Sequence, residues 1–247
     1  MLDFPSRLLR VATGYVSARS AERKLRAVGA PDIYEVGGEM WLIATEKHFG
    51  GRITGVKRKR VSHKDPRSLV RLAVGGMTGG DRMMHHGYAR FYAQHLERFV
   101  HNRLVPLTVV EVGVLRGGGL ALWSSLFPEA DVIGLDIDPS HFFENIDDLR
   151  RRGAFKGRIP EVHNFDQFED GAARLSCILG GRRPEIVVDD GFHSVETILN
   201  TLRGFNKQLS ERFVYFIEDN ENVYSLLGDE VDGATVHSYG ALTVIER

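Results

Sequence analysis

From Leu107 to the carboxyl end, short apolar runs alternate with helical segments, and three of the runs finish in acid. The runs are Leu107–Val112, Asp131–Leu135, Pro160–His163, Glu185–Val188 and Phe213–Ile217. Helices are expected at Leu120–Leu126, Phe142–Arg151, Gly171–Leu179 and Ser194–Leu209, the last capped by Ser194 with Glu196 and Thr197 in its first turn. Continuous apolar strands joined through helices predict a parallel sheet covered on both faces. Two alternating runs around Tyr239-Gly240, within Thr235–Glu246, predict a closing antiparallel hairpin. The fold expected is α/β, a doubly wound, mostly parallel sheet.

The turn after the first strand is Glu111-Val112-Gly113-Val114-Leu115-Arg116-Gly117-Gly118-Gly119. A strand entering a glycine turn and then a helix leaves backbone N–H groups at the strand's carboxyl end, where open α/β sheets bind ligands. A second strand ends in Asp136 and Asp138, and a carboxylate there can accept both hydroxyls of a ribose. A dinucleotide fingerprint needs glycine at its first, third and sixth places, and counting from Gly113 the third is Leu115. A nicotinamide cofactor is therefore disfavoured.

The other acid ends are Asp189-Asp190 and Glu218-Asp219. In a parallel sheet they share one edge, where clustered carboxylates repel unless a cation sits among them. Oxygen donors of this kind suit Mg²⁺, or Mn²⁺. His193, close after Asp190, has the chemistry of a general base.

The amino-terminal part reads differently. Leu8, Leu9, Val11, Ala12, Tyr15 and Val16 have helical spacing, Met40–Ala44 reads as a short strand, and Gly50-Gly51 would turn it into a second strand, Arg52–Val56. The basic run Lys57–Arg60 reads as a solvated loop or strand edge, Gly75–Asp81 as a flexible connection, and a helix follows carrying Phe91, Tyr92, Leu96 and Phe99.

The chain has 247 residues, 43% hydrophobic and 26% charged, and a formal net charge of -1. The balance argues against wholesale disorder, and no global field draws the chain to nucleic acid. Without an apolar run of the ~20 residues a span requires, no membrane crossing is expected. The single cysteine, Cys177, is expected to be a buried packing residue, and the reading is of a reducing, cytoplasmic setting.

Several motifs occur in one order: Gly79-Gly80-Asp81-Arg82, His86-Gly87-Tyr88 with Tyr92, Glu111-Val112-Gly113 with Gly117-Gly118, Asp166-Gln167, Val188-Asp189-Asp190-Gly191-Phe192-His193, and Ile217-Glu218-Asp219. The set resembles the metal-dependent sugar O-methyltransferases of macrolide biosynthesis, the mycinamicin and tylosin type, over roughly residues 76–247. The resemblance implies a Rossmann-like S-adenosylmethionine-dependent methyltransferase domain over 76–247, with 1–75 as an accessory helix and hairpin region. It implies Mg²⁺ on Asp190, Glu218 and Asp219, with His193 as the base. For the donor it implies Asp136 at the ribose, Glu111 and Gly113 near the methionine end and Asp166-Gln167 at the adenine, with Asp81, Tyr88, Gly117 and Asp189 in the same binding set. The acceptor implied is a small molecule or glycoside, and self-association is expected. Arg82 stands where the family has Lys, Phe192 where it often has Ser, and Phe165 where it has Gly. A hydroxylase-linked methoxylation component of the cephalosporin type and a non-catalytic S-adenosylmethionine-binding scaffold subunit are the alternatives.

Overall fold

The computed structural model describes residues 24–58, 62–68, 70 and 76–247. The helix expected around Leu8–Val16 and part of the Lys57–Arg60 run lie outside the described residues.

The elements of the central layer are β3 (Thr108–Val112), β4 (Asp131–Asp136), β5 (Glu161–Asn164), β6 (Ile186–Asp189), β7 (Val214–Ile217), β8 (Thr235–Tyr239) and β9 (Leu242–Glu246). They form one sheet in the order β5-β4-β3-β6-β7-β9-β8, parallel from β5 to β7, with the β8–β9 hairpin closing antiparallel to β7. From β3 the chain moves outward through β4 and β5, then crosses back to β6 on the other side. That reversal makes the β3/β6 crevice the switch point at which such sheets bind ligands. The expected Rossmann-like, doubly wound α/β class is what the chain adopts.

Each inner strand is buried on both faces, and its residues still alternate. Val109, Val188 and Phe216 join one core cluster, while Val110, Val187 and Tyr215 join the other. The first cluster also takes residues of α1 (Glu39–Phe49), α2 (Ala89–Val100), α3 (Gly118–Leu126) and α4 (Ser140–Arg151). The second takes α5 (Ala172–Leu179) and α6 (Val195–Phe205). Ser194 caps α6 by accepting from Thr197 N at 3.2 Å.

Three expectations are corrected. Met40–Ala44 is not a strand but the first half of α1. Trp41, Leu42, Ile43, Ala44 and Thr45 are all buried, so the run is apolar all round and carries no period to tell helix from strand. Gly50 closes this helix, its N–H bonding back to the carbonyls of Glu46 and Lys47. The Gly75–Asp81 stretch is not merely a connection, since Gly76–Gly79 forms β2 and pairs antiparallel with β1 (Ile53–Lys57). Cys177 is exposed rather than buried, because α5 turns Leu175, Ile178 and Leu179 to the core. Among the described residues no helix is long and apolar enough to cross a membrane.

Candidate active site

The carboxyl ends of the parallel strands gather around a cavity of about 360 Å³. Its floor is the turn after β3. Gly113 has φ +89°, and a Cβ on it would lie 2.0 Å from the Asp190 carbonyl oxygen, so only glycine lets β3 end this close to the loop after β6. Leu115, at the place where a dinucleotide turn has glycine, holds a left-handed φ of +47° itself. Asp136 Oδ2 accepts from Val114 N at 2.8 Å and Leu115 N at 2.9 Å, and its Oδ1 accepts from Asp138 N at 2.8 Å. The carboxylate expected at a ribose therefore also braces the turn. Burial raises its pKa, against those three N–H groups.

Behind the turn lies a buried charge cluster. Arg82 Nη2 donates to Glu111 Oε1 at 2.8 Å and to Asp190 Oδ2 at 2.9 Å. Its Nε makes an ion-pair contact with Glu218 Oε1 at 2.6 Å. Glu218 also accepts from the Tyr92 hydroxyl. Burial raises Glu218 to about 8, with Arg82 opposing and Asp190 adding to the rise. Glu111 fills the space over Gly119, where a Cβ would lie 2.0 Å from Oε1.

In front of the cluster, one ligand atom each from Asp190, His193 and Asp219 lies within 4.8 Å of the others. His193 Nε2 is 3.8 Å from Asp190 Oδ1, and both side chains are about a third exposed, so a ligand can reach them. His193 and Asp219 sit at left-handed φ angles of +63° and +56°. Such strain persists only where surroundings enforce it. Here Asn220 Nδ2 holds the His193 carbonyl at 2.8 Å, and the Tyr88 hydroxyl donates to Asp219 Oδ1 at 2.8 Å. His86 stacks on Tyr88 and bridges Asp81 and Asp219, and its bond to Asp81 raises it to about 9.

The expected site residues thus divide. Asp81, Glu111, Gly113, Asp136, Asp166, Gln167, Asp190, His193 and Asp219 line the cavity. Glu218, Asp189, Gly117 and Tyr88 do not. Glu218 is turned to Arg82 and Tyr92, which leaves Asp190 and Asp219 as the convergent oxygen donors. Asp189 accepts from Gln167 Nε2 at 2.9 Å and from the Tyr215 hydroxyl at 3.3 Å, and burial raises it to about 6. The same Gln167 takes Phe192 N on its Oε1 at 2.8 Å, so the pair positions the Asp190–His193 loop. Gly117 is the left-handed N-cap of α3, packed against Phe142.

Sequence reasoning missed the contribution of the amino-terminal part. Glu46, Arg58, Ser62, Asp65 and Arg67 all line the cavity. Arg67 lies 4.3 Å from the Phe192 ring and donates to Asp65 Oδ1 at 2.9 Å. Reading Met40–Ala44 as a strand hid Glu46, although Gly50 behind Lys47 and His48 is the stop signal of the helix that carries it.

The donors fit the groups that the motifs imply. Two convergent carboxylates with open space beside them suit a hard divalent ion, which is often bound by one or two carboxylates and keeps several waters. A cavity of this volume is of the size that holds a small organic ligand.

Fold and site together define a Rossmann-like sheet with a carboxylate-and-histidine pocket at its switch point. No family model matches the chain. It is 30% identical over 147 residues to the mycinamicin VI 2''-O-methyltransferase of Micromonospora griseorubida, covering 56% of this chain and 33% of that protein. It is 26% identical over 147 residues to the 8-demethyl-8-(2-methoxy-alpha-L-rhamnosyl)-tetracenomycin-C 3'-O-methyltransferase of Streptomyces olivaceus, with the same coverages. A solved MycE methyltransferase from the mycinamycin biosynthetic pathway, in complex with Mg, SAH and mycinamycin VI, aligns at a TM-score of 0.49 and 23% identity, over 63% of this chain and 49% of that one. The chain is similar to sugar O-methyltransferases, the class its motifs resemble, and spans about a third of the length of these curated relatives.

Proposed function

We propose that the chain is a Mg²⁺-dependent O-methyltransferase that moves a methyl group from S-adenosylmethionine to a hydroxyl of a sugar or glycosylated natural product. The observation that carries this reading is the convergence of Asp190, His193 and Asp219 at the mouth of a cavity floored by the Gly113 turn. Support also comes from the sugar O-methyltransferases with which the chain shares sequence.

In this reading Asp190 and Asp219 hold the metal, with His193 beside them. When bound, Mg²⁺ lowers the pKa of a neighbouring hydroxyl. His193 takes the hydroxyl proton, and the oxygen attacks the methyl carbon. The carbon–sulfur bond breaks with its electron pair left on sulfur, which discharges the sulfonium. The Gly113 turn and Asp136 hold the donor, and Phe168, Phe192 and Arg67 wall the cavity on the Asp166 side. Alignment of oxygen, methyl and sulfur supplies much of the acceleration. Arg82 keeps Glu111, Asp190 and Glu218 from repelling one another. The site of action is the cytoplasm, in line with the lone cysteine.

The test is transfer of labelled methyl from S-adenosylmethionine to a panel of glycosylated acceptors, with Mg²⁺ and with chelator. Incorporation should require the metal, and His193→Ala and Asp190→Ala should abolish it while the donor still binds. Parent-level transfer in either variant would refute the assignment.

A further inference from the structure

Away from the cavity, α2 and the closing hairpin bring a second set of ligand-type side chains together. His237 on β8 pairs with Val244 on β9, so Glu246, two residues further along β9, is its diagonal neighbour on the same face. His237 Nε2 lies 3.0 Å from Glu246 Oε1. His95 reaches this face from α2, its side chain only 3% exposed, with Nδ1 3.3 Å from Glu246 Oε2. The other ring nitrogen of His95 contacts the Tyr239 hydroxyl at 2.9 Å. One ligand atom from each of His95, His237 and Glu246 lies within 4.8 Å of the others.

We propose that His95, His237 and Glu246 form a second metal site, for a divalent ion of the Zn²⁺ class, that staples α2 to the β8–β9 hairpin. Two imidazoles and one carboxylate are a donor set that Zn²⁺ accepts with a water in fourth place. Imidazole nitrogen suits Zn²⁺, Ni²⁺ or Cu²⁺, and this cluster offers two imidazoles where the cavity cluster offers one beside two carboxylates. The Tyr239 hydroxyl is the outer partner that a ligating histidine needs on its second nitrogen to fix ring orientation. Arg98 Nη2 stands 3.7 Å from Glu246 Oε2 but is held at the rim by the Phe213 carbonyl at 2.5 Å.

The experiment uses the full chain, stripped with chelator and titrated with Zn²⁺ under excess Mg²⁺. A His193→Ala background keeps the cavity cluster from capturing the ion. One Zn²⁺ per chain is expected, with a rise in melting temperature. Co²⁺ in its place should give the stronger visible absorption of a four-coordinate ion. Adding His237→Ala or Glu246→Gln should weaken Zn²⁺ binding tenfold or more and remove the thermal shift, while leaving circular dichroism of the metal-free chain unchanged. His237 is about one-third exposed, so its replacement does not depend on the buried His95 surviving substitution. Equal Zn²⁺ affinity with and without His237, or no Zn²⁺ bound in the His193→Ala parent, overturns the proposal.

Discussion

Arg82 Nη2 stands 2.9 Å from Asp190 Oδ2, and the same guanidinium neutralises Glu111 and Glu218. Burial works against its charge, yet the carboxylates hold its pKa well above the ordinary value. Arg82→Met leaves Glu111 and Glu218 buried without their cation, and breaking a buried pair in this way costs about 3–5 kcal/mol. Arg82→Lys keeps the charge but not the planar fork that reaches three acids at once, and falls between. Urea midpoints measure both, and an Arg82→Met variant as stable as the parent would count against the cluster.

Gly113→Ala places a Cβ 2.0 Å from the Asp190 carbonyl oxygen at a φ of +89°. Backbone cannot swing aside as a side chain does, so the loop carrying Asp190 and His193 has to move. A loss of about 1–3 kcal/mol is expected, as for other overpacked sites. Methyl transfer should fall by more than the melting temperature implies, because the displaced residues are those assigned to metal and base.

Asp136→Ala removes the acceptor for Val114 N and Leu115 N together. A buried donor left unsatisfied costs about 1–3 kcal/mol. Both stability and donor affinity should drop, with Asp136→Asn in between because it keeps one oxygen. Calorimetric titration with S-adenosylmethionine reads the affinity, and unchanged binding in the alanine variant would remove Asp136 from the donor site.

Burial raises Glu46 from 4.5 to about 7, against the opposing pull of Arg82 and the Met83 N–H. A carboxyl whose folded pKa lies above its unfolded value contributes stability that is complete below pH 4.5 and lost as pH rises through about 7. Glu46→Gln should therefore match the parent near pH 4.5 and exceed it in melting temperature at pH 8. A constant difference across that range would show that Glu46 does not titrate in this window.

The sheet is legible in the sequence because its inner strands are continuous apolar runs, three of them leading into acid, and the alternating tail gives the hairpin away as clearly. The convergence of Asp190, His193 and Asp219 follows from two neighbouring strand ends, those of β6 and β7, sharing one edge. Orientation is another matter. Nothing in the local sequence tells that Glu218 turns inward, since the reason is Arg82, 136 positions away in the chain and fixed by tertiary packing. Met40–Ala44 misleads for a different reason, because a fully buried helix erases its own period. The β1–β2 pairing is hidden because β2 is Gly76-Met77-Thr78-Gly79, whose glycines read as a turn.

Helix α1 packs against α3, so the apolar surface of Trp41, Leu42 and Ile43 is covered by residues that follow it by some eighty positions. During synthesis, α1 leaves the ribosome well before its cover has been made. At roughly 5–20 residues per second, that surface stays bare for seconds. Helix α1 is thus open to wrong partners in the nascent chain, and its productive docking waits on completion of Gly118–Leu126.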